Sequence, residues 1–282
     1  MRWTERQQAM LRAMGVSIWQ PGESAPAGAV DEALAEGAVP DPAPHDTPPS
    51  DPPPRDMPVV REAPVAAPRP RDLAQSAPDS GHADAVSRMD WPALREAVTS
   101  CRACGLCETR RQTVFGVGHE RAHWMVVGEA PGEQEDLQGE PFVGPAGQLL
   151  DRMLLALGLT RGEAEPARQV YIANTLKCRP PRNRNPEPAE LARCLPFLER
   201  QVALVQPRVI LAMGRFAVQA LLGSDEPIGK LRGRVHQWQG RPLVVTYHPA
   251  YLLRQPTEKA RAWADLCLAA EALERSQAQA AD

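Results

Sequence analysis

Three polar side chains at the ends of short apolar runs carry most of the chemical content of this 282-residue chain. Glu129 heads the loop G-E-A-P-G-E-Q-E-D at 128–136, directly after the apolar run Trp124–Val127. Asn174 follows the run Val170–Ala173, and His248 follows Leu243–Tyr247. A carboxylate can orient or deprotonate water, and an amide offers one donor and one acceptor to a planar polar ligand. An imidazole can donate to an oxygen on which negative charge builds. The loop after Trp124–Val127 matches neither G-x-G-x-x-G nor G-x-x-x-x-G-K, and its carboxylates from Glu129 to Asp136 repel phosphate at close range. The group it faces is less charged than phosphate.

The cysteines are the second chemical signal. Cys101 and Cys104 form a C-x2-C pair, extended by Cys107, and the thiols of Cys178 and Cys194 lie far along the chain. Such a set is the ligand pattern of a structural Zn²⁺ site or of an iron–sulfur cluster, and spacing alone does not choose between them. Cys178 comes four residues after Asn174, so a metal held there staples the loop that leaves the second apolar run and fixes Asn174. Cys267 falls on the apolar face of the last helix and reads as core packing.

These groups need elements to hold them. The four short apolar runs Trp124–Val127, Val170–Ala173, Val209–Met213 and Leu243–Tyr247 read as buried parallel strands. Helical spacing over Gln148–Leu157, Glu190–Val205 and Ala217–Leu222 separates them, and Gly229–Gly240 reads as a loop or hairpin. A helix from Trp91 leads into Cys101, and a helix over Ala260–Arg275 closes the chain. Alternation of this kind predicts a parallel sheet covered on both faces. The strands end in Gly128-Glu129-Ala130-Pro131, Asn174, Gly214 and His248-Pro249. Carboxylate, amide and imidazole therefore converge on the carboxyl edge of the sheet, where such folds hold ligands.

Composition divides the chain. Residues 1–90 carry 8 Lys and Arg against 14 Asp and Glu, whereas residues 91–282 carry 24 against 21. Half of the 30 prolines fall between residues 20 and 90, a stretch without aromatic residues or sustained apolar periodicity. It buries too little to offset the entropy of ordering and reads as a disordered linker over 20–90. Residues 1–19 form a short amphipathic segment, read either as a helix on the domain or as a docking motif for a protein partner. The folded domain is expected over 91–275. No apolar run reaches the length of a membrane span and the N-terminus is no signal peptide, so the expectation is an intracellular, cytoplasmic protein without a membrane partner. Basic residues crowd the loop after the second strand (Lys177, Arg179, Arg182, Arg184) and recur at Lys230, Arg232, Arg234 and Arg241. Arg254 follows the His248 loop. Two basic loops beside an acidic pocket fit a polyanion with an uncharged moiety turned inward, as in nucleic acid with a flipped base.

Together, G-E-A-P-G-E-Q-E-D at 128–136, P-F-V-G-P-A-G-Q-L-L at 141–150, Y-I-A-N-T-L-K-C-R-P-P at 171–181 and H-P-A-Y-L-L-R at 248–254 closely resemble the family 4 uracil-DNA glycosylases. The resemblance runs from about Cys101 to Leu273 and does not cover residues 1–90. It implies a three-layer αβα sandwich with a central four-stranded parallel sheet. The implied reaction is hydrolysis of the N-glycosidic bond of deoxyuridine in DNA, leaving an abasic site. It further implies a structural 4Fe–4S cluster on Cys101, Cys104, Cys178 and Cys194, with Cys107 beside it, and no nucleotide cofactor. A monomer acting at the nucleoid is the family default.

The resemblance also assigns roles. Phe142 stacks on the flipped ring, the Asn174 amide pairs with uracil O4 and N3–H, and the backbone from Glu129 through Ala130 to Pro131 lines the pocket around O2. His248 donates to O2 as the uracil anion departs. Tyr251, Leu252 and Leu253 enter the minor groove, with Leu252 as the wedge in the vacated stack, and Arg254 holds a neighbouring phosphate. Arg182 and Arg184 are further DNA contacts. The better-known family 1 enzymes place an Asp where this chain has Ala130, so the water is oriented by Glu129, by Glu135 or by backbone, with Glu129 ranked first. The cross-linking branch of the superfamily carries K-R-R-I-H after the Asn strand; here the stretch is K-C-R-P-P-R-N-R-N-P, without histidine. A non-catalytic DNA-binding module and a zinc-bearing nucleotide-binding fold are the readings from other classes.

Overall fold

A computed structural model of the chain describes residues 80–281. The amphipathic segment 1–19 and the linker up to residue 79 lie outside the described residues. Six strands form one sheet: β1 (Val117–Gly118), β2 (Trp124–Gly128), β3 (Val170–Asn174), β4 (Val209–Met213), β5 (Val235–Trp238) and β6 (Arg241–Thr246). Their order is β1-β3-β2-β4-β6-β5. The four inner strands pair in parallel and are the four apolar runs of the sequence. The expected four-stranded parallel sheet is thus the centre of a wider one. The two added edge strands pair antiparallel. Neither is legible as an apolar run, because β1 is two residues long and β5 is the half-buried V-H-Q-W. Short antiparallel edges leave little unpaired backbone for another chain to join.

Period-two alternation sends the side chains of each inner strand to opposite faces. Trp124, Val126, Ile172, Leu211 and Val244 join Leu150, Met153, Trp263 and Leu266 on one face. Those last four belong to helices α4 (Pro145–Ala156) and α9 (Lys259–Ala281). Met125, Val127, Tyr171, Ile210 and Val245 meet Leu198, Val202, Val218 and Leu221 on the other face. These come from α5 (Pro188–Val205) and α6 (Arg215–Leu222). The result is the three-layer αβα sandwich.

Two boundaries differ from expectation. Helix α1 (Ser80–Ser87) lies inside the stretch read as linker, yet its Val86 is buried with Leu94, Val98 and Phe197. Leu94 and Val98 come from α2 (Trp91–Thr99). One buried valine in eight small and polar residues is too weak a pattern to stand out from the Pro/Ala-rich stretch. The acidic loop also contains a helix, α3 (Glu133–Gln138), with Glu133, Glu135 and Asp136 in its first turn, where carboxylates favour the helix dipole. The short helices α7 (Ile228–Leu231) and α8 (Pro249–Arg254) complete the set.

Candidate active site and cysteine-lined cavity

The loops at the carboxyl ends of β2, β3 and β6 share one open cleft of about 1160 Å³. Glu129, Phe142, Asn174, His248 and Arg254 all line it. Gly128, the last residue of β2, pairs in register with Asn174. A Cβ there would lie 2.4 Å from Asn174 Oδ1 and 2.6 Å from Phe142 Cζ, so only glycine lets the amide and the ring come together. Phe142 itself sits at φ 56°, a left-handed conformation that costs a non-glycine residue of order 1 kcal/mol or more. Gly147 of α4 allows this, since a Cβ there would run into the Phe142 carbonyl.

Asn174 is 2 % exposed, and its Oδ1 has no hydrogen-bond partner within the protein. A buried carbonyl oxygen without a partner costs roughly 1–3 kcal/mol, so this atom is an acceptor waiting for a donor. His248 lies across the cleft, its ring 5.4 Å from that of Phe142 and inclined by 27°. Gly214, at φ 91°, follows β4, and a Cβ there would lie 3.1 Å from the His248 Cβ. Nδ1 of His248 accepts from the Ala250 N–H at 3.2 Å, which leaves the proton of the neutral ring on Nε2. Burial pushes the imidazole down to about 4, with Arg254 adding to the effect and Glu135 opposing it. At neutral pH the ring is therefore an uncharged donor.

Two carboxylates of the acidic loop have opposite fates. Glu135 accepts from the backbone N–H groups of Gly132, Val143 and Gly144 at 3.0–3.3 Å, so it clamps the 128–136 loop to the start of α4. Glu129 is held by its backbone, whose carbonyl accepts from Leu176 N–H and the Thr175 hydroxyl. Its carboxyl is pushed up to about 7 by burial alone. Ala130 and Pro131 line the same cleft beside it.

The DNA-facing assignments are redistributed. Leu252 is 1 % exposed and belongs to the core shared with α4 and α9, whereas Leu253 is 44 % exposed. A wedge must project into solvent, which Leu252 does not do and the exposed Leu253 and Tyr251 do. On a six-residue helix adjacent residues face about 100° apart, which the sequence H-P-A-Y-L-L-R does not resolve. Arg184 is committed to Glu190 by paired bonds of 2.6 and 2.9 Å and reaches Glu187 at 3.4 Å. Arg182 and Arg254 are exposed. Lys177, grouped with the basic loop by sequence, is buried instead. The second basic group disperses: Arg232 pairs with buried Asp265, and Arg241 donates to the Pro207 carbonyl at the amino end of the sheet.

Beside the cleft, the thiols of Cys101, Cys104, Cys178 and Cys194, together with Cys107, ring a second cavity. Among the described residues no three candidate ligands close on the point that a single metal ion would need. The rest of the wall is Val98, Ala103, Leu106, Leu176 and Phe197, with Arg110, Lys177 and Arg193 at its polar positions. Two thiols already receive N–H donors: Cys178 from Arg110 at 3.0 Å and Cys194 from the Lys177 amide at 3.3 Å. Burial pushes the thiols of Cys104 and Cys178 up, and that of Cys194 to about 12. Soft sulfur ligands, apolar walls and N–H···S donors are the surroundings an iron–sulfur cluster takes.

An αβα sandwich whose cleft, at the carboxyl edge of its sheet, joins a stacking ring, an unpaired amide and a neutral imidazole is built to read an uncharged heterocycle. The chain belongs to the Uracil DNA glycosylase superfamily, whose sequence profile matches residues 115–267, and to its type-4 branch. It is 44 % identical over 167 residues to the type-4 uracil-DNA glycosylase of Archaeoglobus fulgidus, covering 56 % of this chain and 81 % of that protein. The type-4 enzyme of Pyrobaculum aerophilum is 40 % identical over 190 residues, covering 64 % and 93 %. That of Thermotoga maritima is 42 % identical over 170 residues, covering 60 % and 85 %. Among the described residues no helix is long and apolar enough to cross a membrane.

Proposed function

We propose that this protein excises uracil from DNA by hydrolysing its N-glycosidic bond. The observation that carries the reading is the buried, unpartnered Oδ1 of Asn174, a residue that lines the cleft together with Phe142 and His248. Uracil N3–H supplies the missing donor, and the Asn174 amide N–H donates to O4. Cytosine presents the reverse pattern and is refused. The base leaves the stack at a cost of a few kcal/mol, least where it is mispaired, and stacks on Phe142. Leu253 fills the gap it leaves, and Arg182 and Arg254 hold the backbone.

As the C1′–N1 bond breaks, its electron pair passes into the uracil ring and negative charge gathers on O2. His248 Nε2–H donates to that oxygen and needs no prior protonation to do so. Water adds its oxygen to C1′, and Glu129 takes the proton. Glu135, engaged by three backbone donors, frames the loop and ranks behind Glu129 as the base. The four thiols of Cys101, Cys104, Cys178 and Cys194 fit a 4Fe–4S cluster. Bound there, the cluster supplies a cross-link between the 101–104 segment, the loop after β3 and α5, and holds the Asn174 loop in register. Type-4 membership and the ring of thiols around one cavity support it over zinc. The reading leaves the protein a monomer in the intracellular, nucleoid compartment.

The test is single-turnover excision from a U·G duplex, followed by alkaline cleavage of abasic sites, for the parent and for Asn174→Ala. Loss of most of the rate in the variant supports the reading. Binding without cleavage by the parent makes the protein a damage-binding module. A denaturation-resistant protein–DNA adduct assigns it to the cross-linking branch.

A further inference from the structure

Lys177 lies between the two cavities and has no place in the reaction described so far. It is 1 % exposed, one of the largest fully buried side chains in the domain. Its Nζ donates to the Asn174 carbonyl at 2.8 Å and to Gln201 Oε1 at 2.6 Å. Gln201, also fully buried, is fixed in turn: its Nε2 donates to the Phe115 carbonyl at 2.8 Å and to the Tyr171 hydroxyl at 3.1 Å. The main chain of Lys177 is held as firmly, its N–H on Cys194 Sγ and its carbonyl accepting from Val114 N–H at 2.8 Å. Among the described residues no carboxylate pairs with the ammonium. Burial opposes the charge of this lysine and only the nearby Cys194 and Cys178 sulfurs support it, so an apolar residue of similar length would fill the space at less expense.

The position of its contact gives the lysine a use. The β2–β3 ladder ends at the Gly128–Asn174 pair, and beyond it Thr175 N–H returns to the Gly128 carbonyl. The Asn174 carbonyl has run out of strand. Lys177 folds back three residues to bind it and so fixes the last peptide before the loop turns away. The side chain that carries the amide springs from that same residue. We infer that Lys177 is a positioning residue: anchored through Gln201 to the sheet, it holds the Asn174 backbone so that the amide meets the base in register. The inference rests on Asn174 being the base-reading group.

The experiment compares single-turnover uracil excision by Lys177→Met in three settings: the parent, Asn174→Ala and His248→Gln. Iron content and melting temperature are followed for each full-length protein. A displacement near 1 Å of a positioned group costs up to about 100-fold in rate, so Lys177→Met should slow the parent by about 10- to 100-fold. Acting through Asn174, it should slow Asn174→Ala by no more than about threefold yet cost His248→Gln the full factor. Equal slowing in both backgrounds would mean a general structural role and overturn the inference, as would an unslowed Lys177→Met. Should Asn174→Ala itself keep the parental rate, the base-reading assignment fails, and the inference with it. If Lys177→Met does not fold, Lys177→Gln, polar but one atom shorter, carries the same comparison.

Discussion

Replacing Glu129 by Gln separates its contribution from that of His248 in the cleft. Burial sets the Glu129 carboxyl at about 7 and the His248 imidazole at about 4. Between pH 5 and pH 9 the imidazole is neutral throughout and only the carboxyl changes state. Parental kcat/KM on a uracil duplex should therefore fall below about pH 7, approaching tenfold per pH unit, as the base is protonated. In Glu129→Gln the rate should drop by about 100-fold at pH 8, the low end for a general base, and the acid limb should disappear. His248→Gln should lower the rate and keep the limb near 7. Folding stability gives an independent reading. A carboxyl raised from 4.5 to about 7 on folding contributes stability below pH 4.5 that is lost as pH rises through 7. The shift corresponds to about 3 kcal/mol as an upper bound, and partial solvation reduces this to about 1–2 kcal/mol. Urea denaturation should accordingly find Glu129→Gln more stable than the parent at pH 8, with the gap closing towards pH 4.5. An acid limb that survives in Glu129→Gln and vanishes in His248→Gln would refute the assignment.

The leucine pair of α8 should separate cleanly. Leu253→Ala should weaken duplex excision at unchanged melting temperature, whereas Leu252→Ala should cost about 2–5 kcal/mol in urea denaturation through the cavity it leaves. Gly128→Ala forces Asn174 or Phe142 aside, so excision should fall at least about 100-fold while overpacking costs about 1–3 kcal/mol of stability. Cys178→Ser should lose bound iron and visible absorption and lower the melting temperature, because the loop after β3 is no longer tied to the 101–104 segment. Retention of full iron by that variant would remove Cys178 from the ligand set.

The inner strands and the residues at their ends were legible because buried parallel strands are written as short apolar runs, and each run stops where its functional residue begins. The edge strands were not, since V-G at 117–118 and V-H-Q-W at 235–238 are half-covered and carry no run. Lys177 was misread for a related reason. Composition marks a lysine as solvated, and nothing local tells that Gln201, 24 residues on, waits to receive it. Arg184 and Arg232 were counted as free positive charge, but Glu190 and Asp265 neutralise them across the fold. Gly128 was seen as the end of a strand. Its need to lack a Cβ comes from Asn174 and Phe142, which sequence distance hides.

Glu129 and Glu135 show most directly what sequence cannot assign. They stand six residues apart in one loop, both half-buried and both lining the same cleft. Their chemistry is decided by what the backbone does nearby. Glu135 caps α3 through Gly132 N–H, and because Pro145 starts α4 where it does, the N–H groups of Val143 and Gly144 point at the same carboxylate. Three donors take up most of its acceptor sites, leaving little for a water. Glu129 gives its carbonyl to Thr175 and Leu176, which fixes the loop to β3 while its carboxyl faces the cleft with burial as the only force on its proton. The same loop thus supplies a carboxylate spent on the backbone donors that hold its shape and another that can change charge to move a proton. Exchanging their partners would exchange their roles.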